Sequence, residues 1–416
     1  TGFLTCMTAL HMRRGAAQYP DFRAKLVKLD AQCADALRRG DIALLSMYEL
    51  LRRKPEAIRR RQELQALPGP SIFVPRRRAA QLLRAEKRCV LMLSYGWGTP
   101  GTSDPTGEVL RHVLRFLEWL RDEYSLSEKE QRNFGVFWDF ASLHQPPRTA
   151  AQEVQFKRAL SVMAFLYASP LGSCIMQHRG MPRRPAALEG VVLVRSLTSG
   201  KAGEESAVRA ILANHALESV ERDATGAGQA TIHWRLRFSS HEEAERALVA
   251  AVRPWAEEQG GWAAMGYNER PYADRGWCVL EDAVTREAVG RTHQPGFEAI
   301  RELVEAAPLA KLYDVSDADS AAVLVPITAP QQPQAVLDAI EAATFTANAD
   351  KEMVSGMYTE WRETVFRVLD AEGRYVLYDD NRVANMDDEW RRLGGRGGGG
   401  SGDAGGGSGG GGGLLV

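Results

Sequence analysis

The residues best suited to chemistry in this sequence are a carboxylate and an indole four positions apart. The stretch 275–284 follows a turn signal at 272–274 and has the composition of the first turns of a helix. Side chains four apart lie on one face of a helix, so Trp277 should lie beside Glu281. An indole excludes water, and a carboxylate held against it can have a raised pKa and a strong electrostatic effect on a substrate. The alternative is an amphipathic helix that buries Trp277 and Leu280 and leaves Glu281 at the solvent edge.

The pattern upstream of this helix predicts an open parallel α/β sheet flanked by helices. Apolar runs at 89–95, 134–138 and 172–176 are typical of strands buried on both faces. An amphipathic helix that begins at 106–108 separates the first two runs, and a helix over 150–167 separates the second and third. Such alternation of strand and helix is the signature of a parallel α/β sheet.

The first two predicted strands end in polar and aromatic residues. In sheets of this kind the ligand lies outside the carboxyl ends of the strands. The candidates for ligand contact at those ends are Ser94, Tyr95, Trp97 and Asp139. The loop 96–101 is glycine-rich, but it has neither the G-x-G-x-x-G nor the G-x-x-x-x-G-K-[ST] order, which disfavours a conventional dinucleotide fold and a P-loop.

The composition is that of a globular protein with two or three domains. The 416 residues carry a net charge of −1, so no strong overall field attracts nucleic acid or an anionic membrane. The five cysteines are scattered and form no C-x-x-C pair, which indicates neither a zinc site nor a disulfide framework and favours a reducing, cytoplasmic location. No apolar run is long enough to span a membrane. The chain begins with Thr1 rather than Met, which leaves an upstream targeting signal open.

Motifs in three places, in order along the chain, resemble those of fungal heterokaryon-incompatibility domains. The segment 93–98, LSYGWG, resembles the opening motif of these domains, and 275–281 resembles their closing R-x-W…E motif. Their middle motif, W-x-D…Q…M…Y-A, is resembled by Phe137-Trp138-Asp139, Gln145, Met163 and Tyr167-Ala168. The segment 345–358 also looks like the C-terminal part of related proteins from algae and other protists.

The same skeleton is similar to Toll/interleukin-1 receptor (TIR) domains, which have a flavodoxin-like fold. The residues 277–281, Trp-Cys-Val-Leu-Glu, match the Trp-Cys-x-x-Glu motif of plant members position by position. The resemblance implies that Glu281 attacks or stabilises the ribose of NAD and that Asp139 orients the ribose or the loop. It also implies that the nucleotide pocket is lined by Ser94, Tyr95, Trp97 and Trp277. NAD would then be a substrate, with no cofactor or metal required.

An insert separates the third strand from the Trp-Cys helix, where TIR domains have only a modest stretch. Its pattern, β-α-β-β-α over 186–254, predicts a ferredoxin-like module, and its end resembles an RNA-recognition motif. The positions at which such modules stack bases on aromatics hold Leu193, His233 and Arg235 instead. We therefore expect a module for packing or protein contact, with RNA as the alternative, and a return linker over 253–271.

The remaining segments are predicted to be mainly helical, with C-terminal helices over 297–306, 333–343, 352–368 and 386–393 and strands over 321–327 and 374–378. The basic helices over 21–67 present arginines that either form a solvated surface or meet an anionic partner. Glycine and serine after 394 predict a flexible tail. The predicted domains are 1–85 (helical), 86–185 (TIR-like, first part), 186–254 (insert), 255–345 (TIR-like, second part), 346–393 (helical) and 394–416 (tail).

Three functions follow as hypotheses. The first is a TIR-like NAD glycohydrolase in signalling or defence, with Glu281 as the catalytic carboxylate. The second is a non-catalytic TIR-like or heterokaryon-incompatibility-like interaction module that self-associates. The third is an RNA-associated protein that acts through the insert. None of the three requires a membrane.

Overall fold

Two sheets and the helices around them make up the described chain. In the computed structural model the described residues are 20–99, 101–198, 204–222, 231–294, 297–317, 319–345, 349–369, 375–377 and 383–385. The strands are β1 (Leu45–Ser46), β2 (Val90–Tyr95), β3 (Gly135–Phe137), β4 (Ser173–His178), β5 (Val191–Thr198), β6 (Leu217–Arg222), β7 (Thr231–Phe238), β8 (Trp262–Met265), β9 (Leu312–Asp314), β10 (Val323–Leu324), β11 (Tyr375–Leu377) and β12 (Val383–Asn385).

The α-helices surround the first sheet on both faces and cover one face of the second. They are α1 (Pro20–Leu29), α2 (Ala31–Arg39), α3 (Met47–Arg53), α4 (Arg61–Ala66), α5 (Arg76–Leu83), α6 (Glu108–Glu123), α7 (Glu128–Gln131), α8 (Asp139–Ser142), α9 (Ala150–Leu160), α10 (Met163–Ala168), α11 (Glu205–Ile211), α12 (His241–Ala247), α13 (Arg253–Glu258), α14 (Gly276–Gly290), α15 (Glu298–Glu305), α16 (Pro333–Ala342) and α17 (Ala349–Leu369). No helix in the described ranges is both long enough and apolar enough to cross a bilayer.

The central sheet has six strands in the order β1-β3-β2-β4-β9-β10. The four inner strands are parallel, and β1 and β10 are antiparallel at the edges. The parallel strands follow the 2-1-3-4 order of a doubly wound sheet, so the topological switch point lies between β2 and β4. This confirms the predicted α/β class with a mostly parallel sheet.

Alternating residues of β2 point to opposite faces of the sheet and build two separate cores. Leu91 and Leu93 pack with Val113 and Phe116 of α6. Val90 and Met92 instead belong to the core that contains α10, α14, α16 and α17. Because both faces are buried, the middle of β2 and of β4 is apolar. Polar side chains follow at the carboxyl end of each strand, and Ser173 begins β4.

The second sheet is antiparallel in the order β6-β7-β5-β8, with α11, α12 and α13 packed on one face. The predicted return linker over 253–271 is wrong at this point, because α13 and β8 lie there and β8 pairs with β5. The strand β8 is short and alanine-rich and has glycines on both sides, so its sequence shows no pattern typical of a strand. The module's sheet therefore extends past the predicted boundary at 254.

The N-terminal segment is helical, as predicted, but it also contributes an edge strand. Leu45 of β1 pairs with Val136 of β3, so this segment belongs to the central sheet. In the C-terminal third, α15, α16 and α17 lie where helices were predicted, and of the predicted strand over 321–327 only β10 forms. The predicted edge strand near 374–378 is β11, whereas the predicted helix over 386–393 and the tail 394–416 lie outside the described residues.

Candidate functional site

Glu281 lies in the second turn of α14, and the start of this helix is fixed against the end of β2. Gly276 begins the helix, and the ring of Phe345 lies so close that a Cβ at this position would overlap it. The thiol of Cys278 donates to the carbonyl of Tyr95 at 3.4 Å. These contacts place the side chain of Glu281 at the carboxyl end of β2, beside the switch point.

The carboxylate of Glu281 is joined to Ser94 by a short hydrogen bond. Ser94 is the fifth residue of β2 and is almost fully buried, and its Oγ donates to Oε2 of Glu281 at 2.5 Å. The hydroxyl of Tyr272 lies 2.6 Å from the same Oγ. Either hydroxyl can be the donor in this contact, and the Tyr272 hydroxyl also lies 3.4 Å from the carbonyl of Cys278, to which it can donate.

The hydrogen bonds continue from Tyr272 to a second carboxylate. The side-chain amide of Gln177 donates to the Tyr272 hydroxyl at 2.9 Å and to Oδ1 of Asp282 at 2.8 Å. Asp282 also accepts from Arg286 at 2.8 Å. Gln177 pairs with Ser94 across β4 and β2, so the two parallel strands supply neighbouring members of one chain of contacts.

The environment of Glu281 favours the protonated carboxyl. Burial raises its pKa to about 8, hydrogen bonds from Ser94 and Tyr167 oppose that shift, and the charge of Asp139 adds to it. A carboxyl whose pKa lies near neutral pH, placed at a strand end, is the kind of group that acid–base and electrostatic catalysis use.

Asp139 follows β3 and binds the glycine-rich loop. Its Oδ2 accepts from the indole nitrogen of Trp97 at 2.7 Å, and its Oδ1 accepts from the hydroxyl of Tyr95 at 3.1 Å. The backbone N–H of Phe140 also donates to Oδ1, at 2.6 Å. Burial raises the pKa of Asp139 to about 6. The three donors hold Trp97 and its loop against the end of the sheet.

Trp277 lies partly buried at the edge of the core, on the side of α17. Its indole nitrogen donates to Oδ2 of Asp350 at 3.5 Å. Ser94 is hydrogen-bonded to the Glu281 carboxyl, and the hydroxyl of Tyr167, which donates to the carbonyl of Leu93, lies close enough to lower the pKa of Glu281. Burial is the largest cause of the raised pKa of Glu281. Trp277 packs against the core that contains α14.

Arg275 belongs to the motif at 275–281, but the sequence analysis predicted no role for it in the site. Its guanidinium donates to the carbonyls of Trp97, Arg270 and Asn268, each at 2.9 Å. It is nearly buried, and burial lowers its pKa. A Cβ on Gly96 would lie 2.5 Å from its Nε, which explains the glycine. Arg275 thus fixes the loop 96–98 to the turn before α14.

Gln177, Tyr272 and Asp282 are further site residues that the sequence analysis did not predict. Gln177 could have been found, because it follows the third apolar run just as Ser94 ends the first. Tyr272 carries no such signal, since its partners Ser94 and Gln177 lie far away along the chain. In the described residues no group of three or more His, Cys, Asp or Glu side chains is placed to hold a metal ion.

The face of the second sheet that carries no helices lies against the segment that precedes β5. Leu193 and Arg235 are paired neighbours on β5 and β7, and strand alternation puts them on the face away from the helices. The guanidinium of Arg235 donates to the carbonyl of Ala187 at 2.9 Å, and Arg237 donates to the same carbonyl at 2.8 Å. The short segment before β5 thus binds the face that RNA-recognition motifs use for bases.

Comparison of this chain with protein-family models, with curated proteins and with solved structures found no match. The fold and the site by themselves define a doubly wound α/β protein with an inserted antiparallel module. Its candidate site is a carboxyl of raised pKa at the switch point of the sheet.

Proposed function

We propose that this chain hydrolyses the bond between nicotinamide and ribose in NAD or a related nucleotide, with Glu281 as the catalytic carboxylate. The observation that carries the proposal is the placement of Glu281 at the switch point, 2.5 Å from Ser94 of β2 and with a pKa of about 8. Ligands of doubly wound sheets bind at this point. The TIR-like motifs independently suggest the same residue.

The reaction needs a negative charge next to the ribose. When the bond between C1′ and the pyridinium nitrogen breaks, its electron pair goes to nicotinamide and positive charge develops on the ribose. Water then adds to C1′ and releases a proton. An ionised Glu281 would stabilise the positive centre, and the positive charge of the bound pyridinium would itself lower the pKa of Glu281 and favour ionisation.

The other residues of the site have two roles in this proposal. Ser94 and Tyr272 position the carboxylate through hydrogen bonds of 2.5 and 2.6 Å. Trp97, held by Asp139 and only partly buried, would supply an aromatic wall for the nucleotide.

The test is an NAD-consumption assay with Glu281→Gln and a matched control. Gln keeps the size and can still accept from Ser94, but it carries no charge. Turnover should fall by ~10²–10³-fold, the usual value of one such transition-state contact. Glu305→Gln, which alters an exposed carboxylate on α15, should leave turnover unchanged.

Two results would count against the proposal. Equal turnover by wild type and Glu281→Gln would remove the catalytic assignment. Absence of turnover by the wild type at every protein concentration would favour the alternative, a non-catalytic interaction module.

A further inference from the structure

The N-terminal helices carry a concentration of positive charge that the overall composition hides. Residues 38–88 contain fourteen Lys and Arg, of which Arg61 and Arg88 are buried, but only five Asp and Glu, in a chain whose net charge is −1. Charges on a surface act over about 10 Å at ordinary ionic strength, so this local excess matters more to a nearby ligand than the total does.

Part of this charge lines a groove between α2 and α5. The groove has a volume of about 290 Å³ and is lined by Arg38, Arg77, Ala80, Gln81 and Arg84. Three residues of α5 and Arg84, which caps its C-terminus, have the spacing i, i+3, i+4 and i+7, so they form one stripe along the helix. Arg38, near the end of α2, faces this stripe from the other side.

The arginines of the stripe form no salt bridge with a carboxylate. Within the described ranges, the guanidinium groups of Arg77 and Arg84 make no hydrogen bond or ion pair, and both residues are exposed. Arg38 pairs only with Asp35, on the surface of its own helix. The first turn of α5 contains three arginines and no acidic residue, which the helix dipole disfavours. An anion in the groove would relieve this accumulation of like charge.

We propose that the groove binds the phosphate backbone of a nucleic-acid duplex without regard to its sequence. Arg77 and Arg84 lie seven residues apart, about 10 Å along the helix, which is too far for one phosphate and suits a row of them. The described lining contains no aromatic side chain on which a base could stack, so the contacts are to the backbone. The proposal is independent of the reaction proposed for Glu281.

The lining also argues against other anionic partners. Surfaces that bind membranes place large apolar side chains beside the basic ones, and protein interfaces rely on buried aromatic or apolar anchors. The groove offers only Ala80 and the amide of Gln81 between its guanidinium groups. Planar guanidinium groups with no large apolar side chain beside them fit phosphate oxygens best.

The experiment measures binding of the full chain to fluorescein-labelled 20-base-pair duplexes of mixed sequence, one DNA and one RNA, by fluorescence anisotropy. With three arginines on phosphates, log K should fall against log salt with a slope of about −2.7, or ~40-fold between 50 and 200 mM salt. The double variant Arg77→Gln/Arg84→Gln should lose about two units of slope and bind more than ~10-fold more weakly at 50 mM salt. Arg77→Lys/Arg84→Lys should retain most of the slope.

The matched control is Arg209→Gln/Arg246→Gln, which removes two exposed arginines of the inserted module. It should bind both duplexes as the wild type does. The proposal is overturned if the wild type binds neither duplex at 50 mM salt, or if the groove variant binds as tightly as the control. Binding to phosphatidylserine vesicles that is lost in the groove variant, with no duplex binding, would assign the groove to a membrane instead.

Discussion

Replacing Glu281 by Gln should make the protein more stable at alkaline pH. The pKa of Glu281 is raised from 4.5 to about 8 in the folded chain, chiefly by burial. The folded state therefore binds this proton more tightly than the unfolded state does. The resulting contribution to stability is fully present below pH 4.5, declines as the pH rises, and is lost above about pH 8. Gln stays neutral at every pH and does not show this loss.

The size of the effect follows from the distance between the two pKa values. Each pH unit over which only the unfolded carboxyl is ionised lowers the free energy of unfolding by ~1.4 kcal/mol. The span from 4.5 to about 8 therefore limits the total loss to roughly 4–5 kcal/mol at pH 9. The side chain is only partly buried, and water that reaches the charged carboxylate reduces the cost. We expect Glu281→Gln to raise the free energy of unfolding by ~1–3 kcal/mol at pH 9 and by little at pH 5.

The assay is urea unfolding followed by circular dichroism at pH 5, 7 and 9, with Glu305→Gln as the control. Glu305 is exposed on α15, so its replacement should change stability by less than ~0.5 kcal/mol at each pH. If Glu281→Gln is no more stable than wild type at pH 9, the carboxylate is not destabilised by its surroundings. That result would contradict a raised pKa for Glu281.

Two further predictions concern the loop and the insert. Gly96→Ala should lower the free energy of unfolding, measured in urea, by ~1–3 kcal/mol, because the new Cβ would lie 2.5 Å from Nε of the immobilised Arg275. The control is Gly101→Ala in the same loop, which should be nearly neutral because its Cβ would meet nothing within 4 Å. Excision of 190–266 with a short Gly/Ser bridge should leave a soluble protein with one cooperative unfolding transition; loss of cooperativity would show that the module is integral to the core.

The strand ends of the site were predictable from the sequence, and the contacts between them were not. Ser94 and Asp139 follow buried apolar runs, and the rule for parallel sheets places such residues at one edge. Tyr272 and Arg275 instead act through contacts with residues that are distant in the sequence. Tyr272 contacts Ser94, and Arg275 donates to the backbone carbonyl of Trp97. A backbone carbonyl has no sequence signature, so no pattern could reveal that contact.

The missed strands have a similar explanation. The edge strand β1 is two residues long, which is too short for any periodicity to show. Its pairing with β3 is imposed by the longer strand that it extends. The strand β8 has four residues between glycines and forms because β5 offers a free edge.

The topology of the insert explains how nearly a hundred residues can separate β4 from α14 without disturbing the site. The first and last strands of the module are antiparallel neighbours, and Val192 pairs with Met265. Adjacent strands lie about 4.8 Å apart, so the chain leaves the module close to where it entered. The N–H of Gly266 donates to the carbonyl of Val191 at 2.7 Å, which closes this end of the module. For the central sheet the long insert thus behaves as a short connection, and α14 can place Glu281 beside Ser94 as a direct crossover helix would.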